Sequence, residues 1–522
     1  MLHRKGLYMK IVTGNEMREI DRIAIEERNI PSPDLMERAG QSVANLIIGQ
    51  VYPRSVAVVT GKGNNAGDGF VTARYLHEAG VHVILVMLAK EDQLSGEALI
   101  NYNRLSPQIP RFICVMENQV AMNLEGIDCV VDAIMGTGVQ GDLRGLYAGA
   151  VKAINNCKAT IVSVDIPSGL PADVEHFDGL CIRADYTVTM GLPKLGMTQY
   201  PAAGYCGKVS VAWLGFPDDL LKEESPSKCS MISHERIKKI LPQRPPDGHK
   251  GTFGSVLVVG GSIGMTGAVS MTALSAARSG AGLVFAAIPH SLNTILEIKL
   301  TEPITIPLPT DSQGVPDKGM LDGILENASK CDAVALGPGM GRDAETFELI
   351  RECIEKISQP LVLDADGLNA LEGHMDILKN RKAPTIVTPH PGEFSRMIGQ
   401  PVSEIIHKRI SLSRAFAMDH EVWLVLKGAS TIVAEPGGRI NINSTGNNAL
   451  AKGGSGDILT GLIAGFLAQG KSPEDSAILG VFIHGAAGEH ASHLNTEYAC
   501  IPTDVIRNIS KAFLDFNNND ER

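Results

Sequence analysis

Short apolar runs alternate with amphipathic stretches along most of this chain. Residues 10–50 read as helical, with Glu16, Arg18, Glu19, Asp21 and Arg22 interspersed among Met17, Ile20, Ile23 and Ala24; Pro31 and Pro33 interrupt the pattern, which resumes over 35–48. Strand signals follow at 55–60, 81–88, 129–133, 160–164 and 186–190, with a helical stretch at 70–79, and most of the strands run into glycine-rich or polar loops. This alternation predicts a doubly wound parallel sheet, whose ligands bind at the carboxyl ends of the strands. The segment 218–233 changes character, and Lys222-Glu223-Glu224-Ser225-Pro226-Ser227-Lys228 has the charge and turn formers of a linker. The alternation then restarts, with strands at 255–259, 283–288, 333–336, 361–363, 385–387 and 422–426 and a small-residue helix at 266–279. Residues 431–443, centred on Gly437-Gly438, read as a hairpin, and the chain is helical from Asp457 onward. The asparagine-rich end, 517–522, is expected to fray.

Length and charge narrow the picture. A chain of 522 residues exceeds one ordinary hydrophobic core, so two α/β domains are expected: 1–222 and 233–522, joined by a linker at 223–232. A net charge of −11 argues against broad nucleic-acid binding, and no apolar run is long enough to span a bilayer. The first eight residues are basic but lack the apolar stretch of a signal peptide. Nine scattered cysteines without a CxxC pair suit reduced thiols in a cytoplasmic protein.

Two asparagine–glycine–aspartate clusters carry the candidate chemistry. The first, Gly61-Lys62-Gly63-Asn64-Asn65-Ala66-Gly67-Asp68-Gly69, follows a strand; its glycines permit positive φ and close ligand approach. A tight turn with Asp68 near a helix N-terminus explains the loop alone equally well. Two other strand ends tip the balance, Asp132-Ala133-Ile134-Met135-Gly136-Thr137-Gly138 and Asp165-Ile166-Pro167-Ser168-Gly169, because a parallel sheet brings all three to one edge. Together GxGNNxGDG, DAIxGTG and DIPSG resemble the NAD(P)H-hydrate epimerase domain, a Rossmann-like doubly wound fold, over about the first 215 residues. That resemblance implies that Asn64, Asn65, Ala66, Gly67, Asp68, Gly136, Thr137, Gly138, Val139, Gln140, Gly141, Asp142 and Asp165 contact the hydrated nucleotide. It implies that Asn65, Asp132 and Ser168 bind potassium. Asp165 is the expected acid–base residue. Lys90, after the second strand, is either a helper or a solvated surface lysine.

The second cluster, Asn447-Asn448-Ala449-Leu450-Ala451-Lys452-Gly453-Gly454-Ser455-Gly456-Asp457, leads a glycine turn into a helix, which makes an anion hole for phosphate. A packing turn with Asp457 as N-cap is the plainer alternative. No GxxxxGK[ST] loop occurs. GxGD at such a turn resembles the ribokinase-like α/β fold. With Gly260-Gly261-Ser262, Gly337-Pro338-Gly339, Asp364-Ala365-Asp366, Thr388-Pro389-His390-Pro391-Gly392-Glu393 and Lys427-Gly428-Ala429-Ser430-Thr431 in order, roughly residues 230–515 resemble the ADP-dependent NAD(P)H-hydrate dehydratase. By that resemblance Lys427, Gly428, Ala429, Ser430, Thr431, Asn447, Asn448, Ala449, Leu450, Ala451, Lys452, Gly453, Gly454, Ser455 and Gly456 hold ADP. Ala268, Gly339, His390 and Asp457 contact the hydrate, with Asp457 as base; Lys427 either neutralises phosphate or is simply solvated. Magnesium is expected from phosphoryl transfer, with no protein ligands assigned.

The combined expectation is a bifunctional repair enzyme, an isomerase and a lyase, acting on both epimers of NAD(P)H hydrate with ADP and K+. It is expected to be a cytoplasmic homo-oligomer without nucleic-acid or membrane partners. A ribokinase-like vitamin-precursor kinase fused to a nucleotide-binding domain, or a first domain serving only as a scaffold, are the competing readings.

Overall fold

Strands rich in valine and isoleucine on both faces must be covered on both faces, and the computed structural model does this twice. It describes residues 9–138, 141–222, 227–310 and 314–516. The chain divides into two units, Met1–Ser230 and Met231–Arg522. Of the segment read as a linker, 223–226 lie outside the described residues and Cys229–Met231 is a short strand with a buried Cys229. The basic start and the asparagine-rich end also lie outside them.

In the first unit seven parallel strands run in the order Arg111–Ile113, His82–Met87, Ser55–Thr60, Cys129–Ala133, Thr160–Val164, Tyr186–Met190, Lys208–Ala212. The chain builds outward from Ser55–Thr60 to one edge, then returns to Cys129–Ala133 and builds to the other. The crevice between those two strands is a topological switch point, where such sheets hold ligands. A side chain on Gly61 would stand 2.3 Å from the Ile134 carbonyl, so glycine is what lets the two loops close over the crevice.

Two expectations change here. Residues 10–50 are not helical from the start: Met9–Ile11 is a strand, and the helix Gly14–Arg22 begins where Thr13 accepts from the Glu16 amide (3.1 Å) while Glu16 accepts from the Thr13 amide (2.7 Å). Asn64 to Gly69 is not a loop either; it opens the helix Asn64–Glu78, and none of its glycines has positive φ. They serve packing. A Cβ on Gly67 would lie 2.6 Å from Met36 Sδ, and one on Gly69 2.6 Å from Ala133 Cβ.

In the second unit nine strands among the described residues run in the order Ile440–Ile442, Ile432–Ala434, Trp423–Leu426, Thr385–Val387, Leu361–Leu363, Ala333–Leu336, Ser255–Val259, Leu283–Pro289, Ile304–Leu308. They are parallel except for the predicted hairpin, which is antiparallel. The switch point falls between Ser255–Val259 and Ala333–Leu336, where a Cβ on Gly260 would meet the Pro338 carbonyl at 2.5 Å. The helix Ser455–Ala468 is almost wholly buried and packs against the small-residue helix Thr266–Arg278. Contact is close because Gly461 faces the Thr272 carbonyl, 2.1 Å from where a Cβ would sit. Gly461→Val should therefore push the helices apart and destabilise the unit by about 1–3 kcal/mol, measurable by chemical denaturation.

Candidate functional sites

The first site lies at the switch point of Met1–Ser230. Asp132, at the end of its strand, is fully buried; Oδ2 accepts from Ser163 Oγ (2.8 Å) and the Ser168 amide (2.9 Å), and Oδ1 from the Ile134 amide (3.4 Å). Burial pushes this carboxyl up, against those hydrogen bonds. Ser168 Oγ accepts from the Met135 amide (2.9 Å) and donates to its carbonyl (3.0 Å), so the loops after two strands are tied together.

Above this lock lies a cavity of about 790 Å³. Of the predicted contacts it is lined by Asn64, Asn65, Asp68, Gly136, Thr137, Gly138 and Asp165. Gly141 and Asp142 line an adjoining cavity of about 340 Å³ that shares Met135, Gly138 and Tyr147 with the first. Val139 and Gln140 lie outside the described residues. Ala66 is buried and Gly67 packs on Met36; Asp132 and Ser168 stand behind the wall.

Asp165 is held in a rare backbone conformation, φ +67°, with its amide donating to the Val188 carbonyl (2.8 Å). Its Oδ1 accepts from the Met190 amide (3.0 Å), from Thr189 Oγ1 (3.4 Å) and from Lys194 Nζ. Oδ2 takes none of these bonds and faces Gly136, on whose Cβ position Asn65 Oδ1 also converges, at 3.6 and 3.5 Å respectively. Lys194 is fully buried, its ammonium also donating to Thr189 Oγ1 (3.1 Å) and the Met190 carbonyl (3.0 Å). Sequence reasoning missed Lys194; the available signal was a lysine inside the otherwise apolar run Gly191-Leu192-Pro193-Lys194-Leu195-Gly196-Met197. Lys90 is exposed and does not line the cavity, because it precedes the surface turn Glu91–Gln93. Asp21 was missed as well and lines the same cavity. Burial pushes Asp21 up to about 6, and burial with the charges of Asp165 and Asp21 pushes Asp68 well up.

The second site gathers at the N-terminus of Ser455–Ala468. Gly454 (φ +101°) precedes that helix and Asp457 is its third residue, inside the first turn rather than capping it. Burial, reinforced by the charge of Asp364 and opposed by Lys427, pushes the Asp457 carboxyl up to about 7. Lys427 is neither solvated nor uncommitted: Nζ lies 2.7 Å from Asp364 Oδ1 and 3.6 Å from Glu393 Oε2. It also lies 3.1 Å from a Cβ position on Gly456, beside the helix's first amides. Asp364, buried, accepts from Thr460 Oγ1 (2.8 Å) as well; its burial is outweighed by Lys427, and its carboxyl stays below the usual range.

Other predicted residues are placed less directly. His390 caps the helix Pro391–Ile398, Nδ1 accepting from the amides of Gly392 (3.0 Å) and Glu393 (3.3 Å), which leaves Nε2 to carry the proton. Lys452 donates to the Tyr498 carbonyl (2.7 Å) and the Cys500 carbonyl, turned toward the end of Pro473–Ala499. Asn447 shapes the turn, accepting from the Ala449 amide (3.1 Å) and donating to Ser492 Oγ (2.8 Å). Thr431 Oγ1 closes the 428–431 turn on the Gly428 carbonyl (2.8 Å). Ser455 Oγ contacts His484 Nε2 (3.1 Å); burial lowers His484 to about 4, so the ring is neutral. Gly339 abuts Ala268, 3.1 Å from Cβ position to Cβ, beside a cavity of about 480 Å³ lined by Ser262, Met265, Gly341 and Asp366. Asp366 links this corner to the rest: Oδ2 accepts from the Gly341 amide (3.0 Å), and its charge acts on Asp457.

Two α/β units, each with acidic groups and a buried lysine at the carboxyl edge of its parallel strands, define a chain with two sites of the nucleotide-handling α/β class. Residues 256–511 match the family described as NAD(P)H-hydrate dehydratase, and residues 32–196 the family described as YjeF-related protein N-terminus. The bifunctional NAD(P)H-hydrate repair enzyme Nnr of Moorella thermoacetica is 40% identical over 506 residues, covering 95% of each chain. That of Thermofilum pendens is 38% identical over 93% of this chain and 92% of its own. The ADP/ATP-dependent NAD(P)H-hydrate dehydratase of Bacillus subtilis, co-crystallised with ATP/Mg2+, aligns at 30% identity with a TM-score of 0.48, covering 55% of this chain and 98% of that one. The chain belongs to the family of bifunctional NAD(P)H-hydrate repair enzymes.

Breaking one half of the Lys427–Asp364 pair strands a buried charge. Lys427→Met should cost about 3–5 kcal/mol in denaturant unfolding of the second unit, and adding Asp364→Asn should recover most of it.

Proposed function

We propose that the Met1–Ser230 unit interconverts the R and S epimers of NAD(P)H hydrate and that the Met231–Arg522 unit dehydrates the S epimer with ADP. The observation that carries the second half is Asp457: a carboxyl pushed up to about 7, inside the first turn of a buried helix, beside Lys427. Hydroxide is a poor leaving group. Asp457 takes the proton of the C6 hydroxyl as that oxygen attacks the β-phosphorus of ADP, and AMP leaves. Phosphate then departs with its C–O electron pair as the ring-nitrogen lone pair pushes in. Loss of a proton from the neighbouring ring carbon completes NAD(P)H. The first-turn amides of Ser455–Ala468 and the Lys427 ammonium face the charge that develops on the transferring group.

The phosphates of the nucleotide and water would hold magnesium, which would supply positive charge to the transferring group. Potassium takes oxygen ligands, and the first site offers them: Asn65 turns Oδ1 toward Gly136, and Asp132 Oδ1 receives only one long bond. Asn65, Asp132 and Ser168 would hold K+ there, supplying positive charge near the nucleotide. In the same cavity Asp165 offers Oδ2 to the C6 hydroxyl, with Oδ1 locked by its three donors.

A mixed R/S NADPH hydrate supplied with ADP should convert fully to NADPH, followed by absorbance. Conversion of the S fraction alone would remove the epimerase half; an ATP-dependent, stable phosphorylated product would favour the kinase reading. Asp457→Asn should slow dehydration by about 10²–10⁴. As a base, Asp457 must be ionised, so kcat/KM should fall about tenfold per pH unit below about 7 and level off above it. Replacing K+ by Li+ should slow epimerisation but not dehydration, and Asp132→Asn should abolish the difference between the two ions.

A further inference from the structure

Inverting C6 by loss and return of water imposes a geometric demand. Once the hydroxyl leaves, C6 is planar, and the opposite configuration forms only if water adds from the other face. A carboxylate that assists on one face serves the other only by swinging across the ring. Asp165 is held against such a swing: three donors fix Oδ1, and its backbone is pinned at φ +67°. A second acid–base group must therefore reach the substrate from a different part of the cavity.

Asp21 meets that requirement. It lies on the helix Gly14–Arg22, one turn after the buried Met17, and both residues line the 790 Å³ cavity. The capping box at Thr13 fixes where this helix starts. Just before it, Val12 is bonded on both sides to the segment carrying Lys194: its amide donates to the Pro193 carbonyl (3.0 Å), and its carbonyl accepts from the Leu195 amide (2.9 Å). The helix with Asp21 and the lysine that anchors Asp165 are thus one framework. The Asp21 carboxyl makes no hydrogen bond or ion pair to a described residue. Burial pushes it up to about 6, with Lys194 pulling it down and the charge of Asp165 adding to the rise, so at neutral pH a minor fraction is protonated.

We propose that Asp21 and Asp165 are the two acid–base residues of the epimerase, one for each face of the ring. This rests on the reading of the Met1–Ser230 cavity as the epimerase site. In one direction, protonated Asp21 gives its proton to the C6 hydroxyl. The C6–O bond breaks with its electron pair going to the departing water, and the ring-nitrogen lone pair forms the N1=C6 iminium. A water on the other face adds to C6, closing the N1=C6 π pair back onto nitrogen, and its proton goes to Asp165. The reverse direction exchanges the roles, and solvent resets the proton. Nothing is oxidised or reduced.

The test uses the full chain without ADP, with each purified epimer in ¹⁸O water, following both epimerisation and label entering the hydroxyl. Asp21→Asn and Asp165→Asn should each slow epimerisation about 100-fold or more, yet each should still exchange label into one epimer, and the two variants into opposite ones. That retained one-sided exchange also shows that the variant folds. Asp21→Glu should recover part of the epimerisation. Epimerisation and exchange at wild-type rate in Asp21→Asn, loss of exchange into both epimers there, or one-sided exchange in Asp68→Asn instead would each overturn the role of Asp21. A wild-type chain that neither epimerises nor exchanges would instead overturn the reading of the cavity itself.

Discussion

In each unit a lysine is buried at a strand-end cluster, where an aspartate meets it. Lys194 meets Asp165, and Lys427 meets Asp364. Removing such an ion from water costs several kcal/mol. A partner at about 4 Å returns about 4 kcal/mol at the effective dielectric of a protein edge, and hydrogen bonds supply more. The pair therefore persists where further donors and acceptors complete it: Thr189 and Met190 in one case, Thr460 and Glu393 in the other.

Burial raises the other carboxyls nearby, and the charge of the paired aspartate adds to it against the pull of the lysine. Asp21 and Asp68 rise in the first unit, Asp457 in the second. Each edge thus holds two kinds of carboxyl: one bound to a lysine and oriented, others whose protons burial holds more tightly. Hydration chemistry at a ring carbon needs that division, because a proton must be given and another taken within one turnover.

Much of this was legible in the chain. The central strands were, because their apolar runs are buried on both faces; the DIPSG and GGSGD segments were, because turn residues at a strand or helix end mark an edge. Edge strands were not. Arg111–Ile113, Lys208–Ala212 and Ile304–Leu308 are partly exposed and carry no continuous apolar run, so only their neighbours define them. The glycines of the first cluster were legible as close approach, but not as helix, since Gly67 and Gly69 answer to Met36 and Ala133, distant in sequence. Lys194 and Asp21 were hidden for the same reason: a buried ion pair and a cavity wall exist only after the chain has folded.

The same electrostatics separates base from scaffold in the second unit. Asp364 and Asp457 act on each other, yet they shift in opposite directions. Asp364 has Lys427 at 2.7 Å and Thr460 on its other oxygen, so taking a proton there would break a buried pair. Asp457 has no such bond among the described residues and stands one residue from the glycine that faces Lys427. A proton from substrate therefore goes to Asp457, and Asp364 does its part by staying charged: it holds Lys427 toward the helix N-terminus and raises the affinity of its neighbour for the proton. Exchanging the two roles would require Lys427 to move, and Glu393 on its other side opposes that.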